Sequence, residues 1–124
     1  MEEWEIRVTT EWRHWFDGQD EPTRQQIIWS LDRLAEDGPG LGRPLVDRIE
    51  GSRIHNLKEL RPGSAGNSAV RILFVFDPWR AAILLVGGDK SGDWNAWYRR
   101  MIPRAEELFE GYLAERWGEK EGRE

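Results

Sequence analysis

Four cationic side chains lie in the middle of the chain, near the ends of its most apolar segments. They are Lys58, Arg61, Arg71 and Lys90. Packing alone gives no reason to gather like charges, whereas an anionic ligand does, and the planar guanidinium group suits phosphate best. If these side chains meet, the chemistry that they favour is the binding and cleavage of a phosphodiester.

Cleavage of a phosphodiester without a metal needs a base, cations that offset the charge of the phosphate, and an acid for the leaving oxygen. A lysine among other cations has a lowered pKa, so Lys58 or Lys90 could be the base. RNA carries its own nucleophile, the ribose 2′-hydroxyl, and DNA does not, so such a site favours RNA. The alternative is a solvated cationic sheet edge, or arginines paired with Glu59, Asp77 and Asp89.

A sheet is needed to bring these cations together, and residues 54–90 predict one. The near-continuous apolar runs at 72–76 and 83–86 are typical of strands covered on both faces. A junction rich in Gly, Ser and Asn and a turn containing proline separate three consecutive antiparallel strands.

The expected pairing of these strands brings the cations to one end of the sheet. A turn near Pro78 places Arg71 opposite Val86 or Gly87. A first junction near Ala65 places Arg61 about one strand spacing, ~5 Å, from the neighbourhood of Arg71. Lys58 and Lys90 would lie at the same end and edge.

The remaining segments predict helices around this sheet. The predicted elements are a strand at 3–9, a short helix at 11–16, a helix that begins at 21 and ends before Gly38, a short strand at 46–50 and a C-terminal helix with Asp93 as its N-cap. Pro103 is expected to end or kink the last helix, and residues 118–124 to fray. The order β-α-α-β-β-β-α predicts an α+β fold, with the N-terminal strand and helices packed on a small antiparallel sheet.

Composition limits the classes of function. The 124 residues predict a single domain over 1–124, and the absence of cysteine excludes thiol nucleophiles and zinc–thiolate sites and suits a cytoplasmic protein. We find no signal sequence and no apolar run near 18 residues, so no membrane segment is expected. His14 and His55, the two histidines, stand in no ligand spacing. We therefore predict neither a metal nor a cofactor.

The net charge of −5 argues against a nucleic-acid partner, but this charge is distributed unevenly along the chain. Residues 1–37 carry a net charge of −6, residues 38–104 carry +5 and residues 105–124 carry −4. The basic excess thus coincides with the predicted sheet, and a local field of this kind can attract a polyanion to an acidic protein.

Several motifs in consistent order over roughly residues 4–113 resemble the HigB-like branch of the RelE/ParE toxin superfamily. They are Leu-Gly-Arg-Pro (41–44), Leu-Lys-Glu-Leu-Arg (57–61), Arg-Ile-Leu-Phe-Val-Phe-Asp-Pro (71–78), Leu-Leu-Val-Gly-Gly-Asp-Lys (84–90), Trp-x-x-Trp-Tyr (94–98) and Ile-Pro-x-Ala (102–105). The resemblance implies a RelE-like fold and the toxin of a type II toxin–antitoxin pair, with a cognate helix-turn-helix antitoxin. Many relatives cut mRNA in the ribosomal A site, where the 2′-hydroxyl attacks the adjacent phosphate.

Carried onto this chain, the resemblance implies that Arg61 and Arg71 bind the phosphate and that Lys58 or Lys90 is the base or a further cation. His55, Trp94 and Tyr98 are the predicted substrate-binding residues. Tyr98 either stacks on a base or donates a proton, or it packs in the core. The acid stays unassigned. Two other functions remain open, a gyrase-directed toxin of the ParE type and a non-catalytic, phage-derived interaction module.

Overall fold

The computed structural model describes residues 3–63, 70–89 and 93–121. Five strands and three helices follow one another there in the order β-α-α-β-β-β-β-α. The strands are β1 (Glu5–Val8), β2 (Val46–Arg48), β3 (Lys58–Leu60), β4 (Val70–Phe76) and β5 (Ala81–Asp89), and the helices are α1 (Thr10–Asp17), α2 (Glu21–Asp37) and α3 (Trp94–Glu121). The prediction of an α+β fold is confirmed.

The strands form one mixed sheet in the order β1-β5-β4-β3-β2. Strands β2 to β5 pair antiparallel, but β1 pairs parallel with β5. The sheet therefore has five strands, which match the five predicted strand segments although the predicted order β-α-α-β-β-β-α names only four, and it is not wholly antiparallel. The alternation of side chains in β1 indicates a strand without its partner or direction, and a long connection through helices and other strands permits a parallel neighbour.

The pairing of β4 with β5 contains an irregularity that moves the register by one residue. Arg71 lies opposite Gly88, whereas the sequence placed it opposite Val86 or Gly87. The shift lies between Leu73 and Phe74, where Leu85 on β5 has no directly paired residue on β4. A β-bulge adds one residue to one strand, and it cannot be counted from the turn alone.

Helices cover both faces of the sheet, which explains the continuous apolar runs of β4 and β5. On one face α1 and α2 pack through Trp12, Ile27 and Leu34. On the other face α3 packs through Trp97, Ala105 and Phe109. Ile27 and Leu34 of α2 are fully buried, whereas Ile28 is 43% exposed.

Helix α3 crosses one face of the sheet from end to end. The carboxylate of Asp93 accepts hydrogen bonds from the backbone N–H groups of Asn95 and Ala96, so the predicted N-cap is confirmed. The helix does not end at Pro103, which lies in its interior, and it extends past Gly118 to Glu121. Packing on both sides of Pro103 accounts for this continuation, since Trp97 and Phe109 are both buried against the sheet.

Candidate functional site

The carboxylate of Glu59 is the centre of a cluster at one end of the sheet. Arg61 donates to one of its oxygens from Nε at 3.0 Å and from Nη2 at 2.6 Å. The hydroxyl of Tyr98 donates to the other oxygen at 2.5 Å, and Nε of Arg71 lies 3.8 Å from that same oxygen. We call Glu59, Arg61, Arg71 and Tyr98 the Glu59 cluster. It joins two neighbouring strands to α3.

Strand geometry places these side chains on one face. Glu59 and Arg61 are two residues apart, so they point to the same side of the sheet, toward α3. Just past β3, the backbone N–H of Arg61 donates to the carbonyl of Leu45, which continues the alignment of β3 with β2. In the adjacent strand Arg71 follows the same alternation, and its guanidinium carbon lies 5.1 Å from the centroid of the Trp94 ring. The predicted proximity of the two arginines is therefore confirmed.

A glycine on β5 lets the start of α3 come close to this cluster. A Cβ atom added at Gly88 would lie 2.2 Å from Nε1 of Trp97, a distance that no side chain can accommodate. Trp97 is thus in contact with the backbone of β5 directly opposite Arg71. Gly88 thus permits the close packing of a tryptophan against β5.

Burial and charge set the protonation of the cluster. Glu59 is 3% exposed. Burial, and next the hydrogen bond to Glu59, raise the pKa of Tyr98 to about 12, so its phenol is protonated at neutral pH. The hydrogen bonds from Arg61 to Glu59 raise the pKa of that guanidinium, which stays charged. The cluster therefore holds two cations, one carboxylate and one O–H donor.

A second carboxylate lies at the outer side of Arg61. Oδ2 of Asp47 is 3.5 Å from Nη2 of Arg61 and 3.3 Å from Nε of Arg43. The backbone N–H of Arg48, and then Arg43, lower the pKa of Asp47. The alternative prediction, that the arginines pair with nearby carboxylates, is thus correct for Glu59. Asp77 and Asp89 bind other groups. Asp89 accepts from the indole of Trp15 at 3.2 Å.

Lys58 does not join this cluster, which corrects the prediction that all the cations gather. It is one residue from Glu59 in the strand and therefore points to the opposite face. Its Nζ lies 5.3 Å from the centroid of the Phe76 ring, and Phe76 packs against the core beneath α1 and α2. Lys90, the fourth predicted cation, is outside the described residues.

His55, one of the predicted substrate-binding residues, lies at the other end of the sheet, away from Arg61 and Arg71. It lines a groove together with Phe76 and Pro78. Arg71 and Phe76 are five residues apart along β4, a separation of about 16 Å. His55 precedes β3 rather than lying in a strand, and the sequence did not show where this strand begins.

Glu59 itself is the residue that sequence reasoning treated as a neutralising partner rather than as part of a site. A signal was available, because Glu59 and Arg61 stand two residues apart in a predicted strand and so share a face.

Among the side chains that the structure describes, no three of His, Asp and Glu come together as metal ligands. None of the helices within 3–63, 70–89 and 93–121 is both long and apolar enough to span a membrane.

Comparison with known proteins identifies the family. The family described as "Phage derived protein Gp49-like" matches residues 14–110. Two toxin candidates of Mycobacterium tuberculosis, HigB2 and HigB3, are 50% identical over 101 residues and 48% identical over 104 residues. The alignments cover 82% of this chain and 50% of HigB2, and 84% of this chain and 89% of HigB3. The chain thus spans about half the length of HigB2.

Solved structures show the same fold at low identity. The isolated RelE toxin of E. coli superposes with a TM-score of 0.58 at 10% identity, over 79% of this chain and 98% of RelE. The RelE–RelB complex of Pyrococcus horikoshii OT3 gives a TM-score of 0.57 at 14% identity, over 73% of this chain and 98% of that chain. The predicted RelE-like fold is confirmed. The family match over residues 14–110 and the 48% identity to HigB3 show that this chain belongs to the Gp49-like, HigB-type family.

Proposed function

We propose that this protein is the toxin of a type II toxin–antitoxin pair and that it cleaves mRNA without a metal. The family supports the toxin, and one observation supports the chemistry. Two arginines from neighbouring strands face the same carboxylate, beside a tyrosine that is protonated at neutral pH. A pocket that holds a carboxylate with two guanidinium groups also suits the two non-bridging oxygens of a phosphodiester.

In the proposed reaction the ribose 2′-hydroxyl attacks the adjacent phosphorus. The bond from O2′ to phosphorus forms, the bond from phosphorus to the 5′-oxygen breaks, and a cyclic phosphate remains on the upstream fragment. Arg61 and Arg71 offset the negative charge that develops on the phosphate. Tyr98 donates its proton to the leaving 5′-oxygen, because it is the O–H donor that α3 brings beside both arginines.

The proton of the 2′-hydroxyl needs a separate acceptor. Lys58 is not proposed for this role because its ammonium group lies on the opposite face of the sheet. The prediction for Lys90 stays a prediction from the sequence. Trp94, which is half-buried, is proposed to hold Arg71 in place through its ring face, and its role in binding a base stays a prediction from the sequence.

The proposed partners are a cognate helix-turn-helix antitoxin and mRNA, bound on the ribosome in the cytoplasm. The structural neighbour from Pyrococcus horikoshii is a complex of RelE with RelB, which supports an antitoxin partner. The basic excess of residues 38–104, the segment that carries the Glu59 cluster, supports this region as the place where RNA binds.

Mapping the 5′ ends of cellular RNA after induction of the protein tests this proposal. We expect growth arrest and new 5′ ends in phase with codons, because cleavage on the ribosome follows the reading frame. Arg71→Ala, expressed at the same level, should lose both effects, since removal of one donor to the developing charge costs about 10²- to 10³-fold in rate.

Unphased ends would point to free RNA instead of the ribosome. Intact RNA together with inhibited supercoiling by purified gyrase would replace the nuclease by a toxin of the ParE type. Normal growth with soluble, antitoxin-free protein would contradict a toxin of either kind.

A further inference from the structure

We infer that in the free protein the carboxylate of Glu59 occupies the position that the phosphate of the substrate takes. The substrate must then displace this carboxylate from the two arginines. Glu59 is then a positioning residue, which aligns the donors of the site and competes with the substrate for them. This inference rests on the proposed function, because it concerns the same phosphate position.

The donors around Glu59 match those that a phosphodiester requires. One carboxylate oxygen accepts twice from Arg61, at 3.0 and 2.6 Å, and the other accepts from Tyr98 at 2.5 Å. A carboxylate and the two non-bridging oxygens of a phosphodiester both offer a pair of anionic acceptors to a guanidinium fork. Arg61 and Arg71 therefore cannot form all of their hydrogen bonds to the carboxylate and to a phosphate at the same time.

The contacts of Glu59 are also of a kind that can be exchanged. In the described residues its carboxylate accepts from side chains, namely Arg61 and Tyr98, and it lies near Arg71 without a hydrogen bond at 3.8 Å. Side chains can turn toward a new acceptor without any change of the backbone. Nε of Arg71 lies 3.8 Å from the carboxylate, so a larger anion in this place would also lie near it, while Nη1 of Arg71 donates to the carbonyl of Val70 at 2.9 Å.

The burial of Glu59 explains why the carboxylate is needed at all. Two guanidinium groups at the edge of the core would repel each other without an anion between them, and a buried charge needs a partner. Glu59 supplies this partner before the substrate arrives. The consequence is a weaker affinity for phosphate than two free arginines would have.

Binding of an RNA dinucleotide with a 2′-O-methyl group tests this inference, because such a probe cannot be cleaved. The variant Glu59→Gln keeps a side-chain oxygen that accepts from Arg61 but removes the competing charge. We expect it to bind the probe about tenfold more tightly, the size of one charge-assisted hydrogen bond. In cleavage assays the same change should lower KM, with any change in kcat separate from it.

Asp47→Asn is the matched control. Asp47 also lies beside Arg61, at 3.5 Å, but it contacts neither Tyr98 nor Arg71 in the described part of the chain. Its removal should change the affinity for the probe by less than about threefold, as for a weak, partly exposed ion pair. A purely electrostatic effect of one lost charge would instead make the two variants equal, which would overturn the inference.

A second measurement needs no variant and covers the case in which Glu59→Gln fails to fold. In the wild-type protein the side-chain carboxyl carbon resonance of Glu59 should shift as the probe saturates, while that of Asp77 stays in place. An unmoved Glu59 resonance at saturation would overturn the inference.

The outcomes separate this inference from the proposed function. Equal or weaker binding by folded Glu59→Gln, with RNA still cleaved by the wild type, would overturn the role of Glu59 and leave the nuclease. No binding of the probe by either form would remove the phosphate position and therefore both.

Discussion

Two carboxylate–tyrosine pairs attach α3 to the sheet, one near each end of the helix. The Glu59 cluster holds its N-terminal part, where Tyr98 donates to Glu59 at 2.5 Å. Near the C-terminal part, Tyr112 donates to Asp77 at 2.5 Å. Both carboxylates are buried, at 3% and 6% exposure. Burial, and then the hydrogen bond to the carboxylate, raise the pKa of each tyrosine to about 12.

The two pairs differ in what else the carboxylate binds. Oδ1 of Asp77 accepts from the backbone N–H groups of Trp79 and Ala81, both at 2.8 Å, and so holds the turn between β4 and β5. The nearby cation, Arg116, donates to the hydroxyl of Tyr112 at 3.3 Å and lies over the ring of Trp79.

Glu59, by contrast, accepts from the side chains of Arg61 and Tyr98. A carboxylate bound to the backbone of a turn cannot leave without breaking that turn, because the freed N–H groups would stay unsatisfied. A carboxylate that accepts only from side chains can be replaced by another anion, because side chains can turn without a change of the backbone. We therefore propose that similar pairs serve structure at one end of α3 and recognition at the other.

The largest expected difference between the two ends of α3 is the effect of a substitution on the rate of RNA cleavage. Tyr98→Phe should lower the rate of RNA cleavage by about 10²-fold or more, because it removes the proposed proton donor. Tyr112→Phe should leave the rate unchanged. Single-turnover cleavage of a short mRNA on ribosomes measures both.

Each of these two variants also loses one hydrogen bond to a carboxylate, so their stabilities should fall by similar amounts, about 1.5–3 kcal/mol. Equal activities of the two variants at equal stability would remove Tyr98 from the reaction and erase the proposed difference between the ends.

The next largest effect is on stability and belongs to the other end. Asp77→Ala should lower the free energy of unfolding by about 3 kcal/mol, since it leaves two backbone donors and one phenol without their acceptor. Urea denaturation measures it. Asp77→Asn, which keeps an acceptor oxygen, is the control and should lose less.

Retained affinity of folded Asp77→Ala for the uncleavable dinucleotide would agree with a structural role. A loss of stability below about 1 kcal/mol would show that water replaces Asp77 in the turn, and the contrast with Glu59 would then fail.

The smallest effect is shared by both ends and concerns alkaline pH. The pKa of Tyr98 and that of Tyr112 are raised from 10.0 to about 12 in the folded state, so each folded phenol holds its proton more tightly than the unfolded one. Their contribution to stability is therefore complete below about pH 10 and is lost as the pH rises toward 12.

Urea denaturation at a series of pH values should show this decline, and each Tyr→Phe variant should remove a part of it. A decline that persists unchanged in both variants would have to come from other groups, such as lysines.

Much of the fold could be predicted because it depends on local patterns. The apolar runs of β4 and β5 and the cap at Asp93 follow from periodicity and helix chemistry. The parallel placement of β1 and the bulge in β5 could not be predicted, since both depend on contacts between distant segments.

The candidate site likewise has features that could be predicted from the sequence and features that could not. Residue types and the order of the strands were enough to predict two arginines side by side, because neighbouring antiparallel strands bring Arg61 and Arg71 together whatever surrounds them. The alternation of side chains along the strand was enough to predict that Glu59 lies on the same face. Its hydrogen bonds to Arg61 and its position near Arg71 could not be predicted.

By itself the sequence determined the family, the layers of the fold and the cations available for chemistry, because composition and local periodicity carry this information. The tertiary structure decided which of these side chains share one face. A shift of one residue along a strand turns a side chain to the opposite face, which is why Lys58 points away from the cluster that its neighbour Glu59 organises.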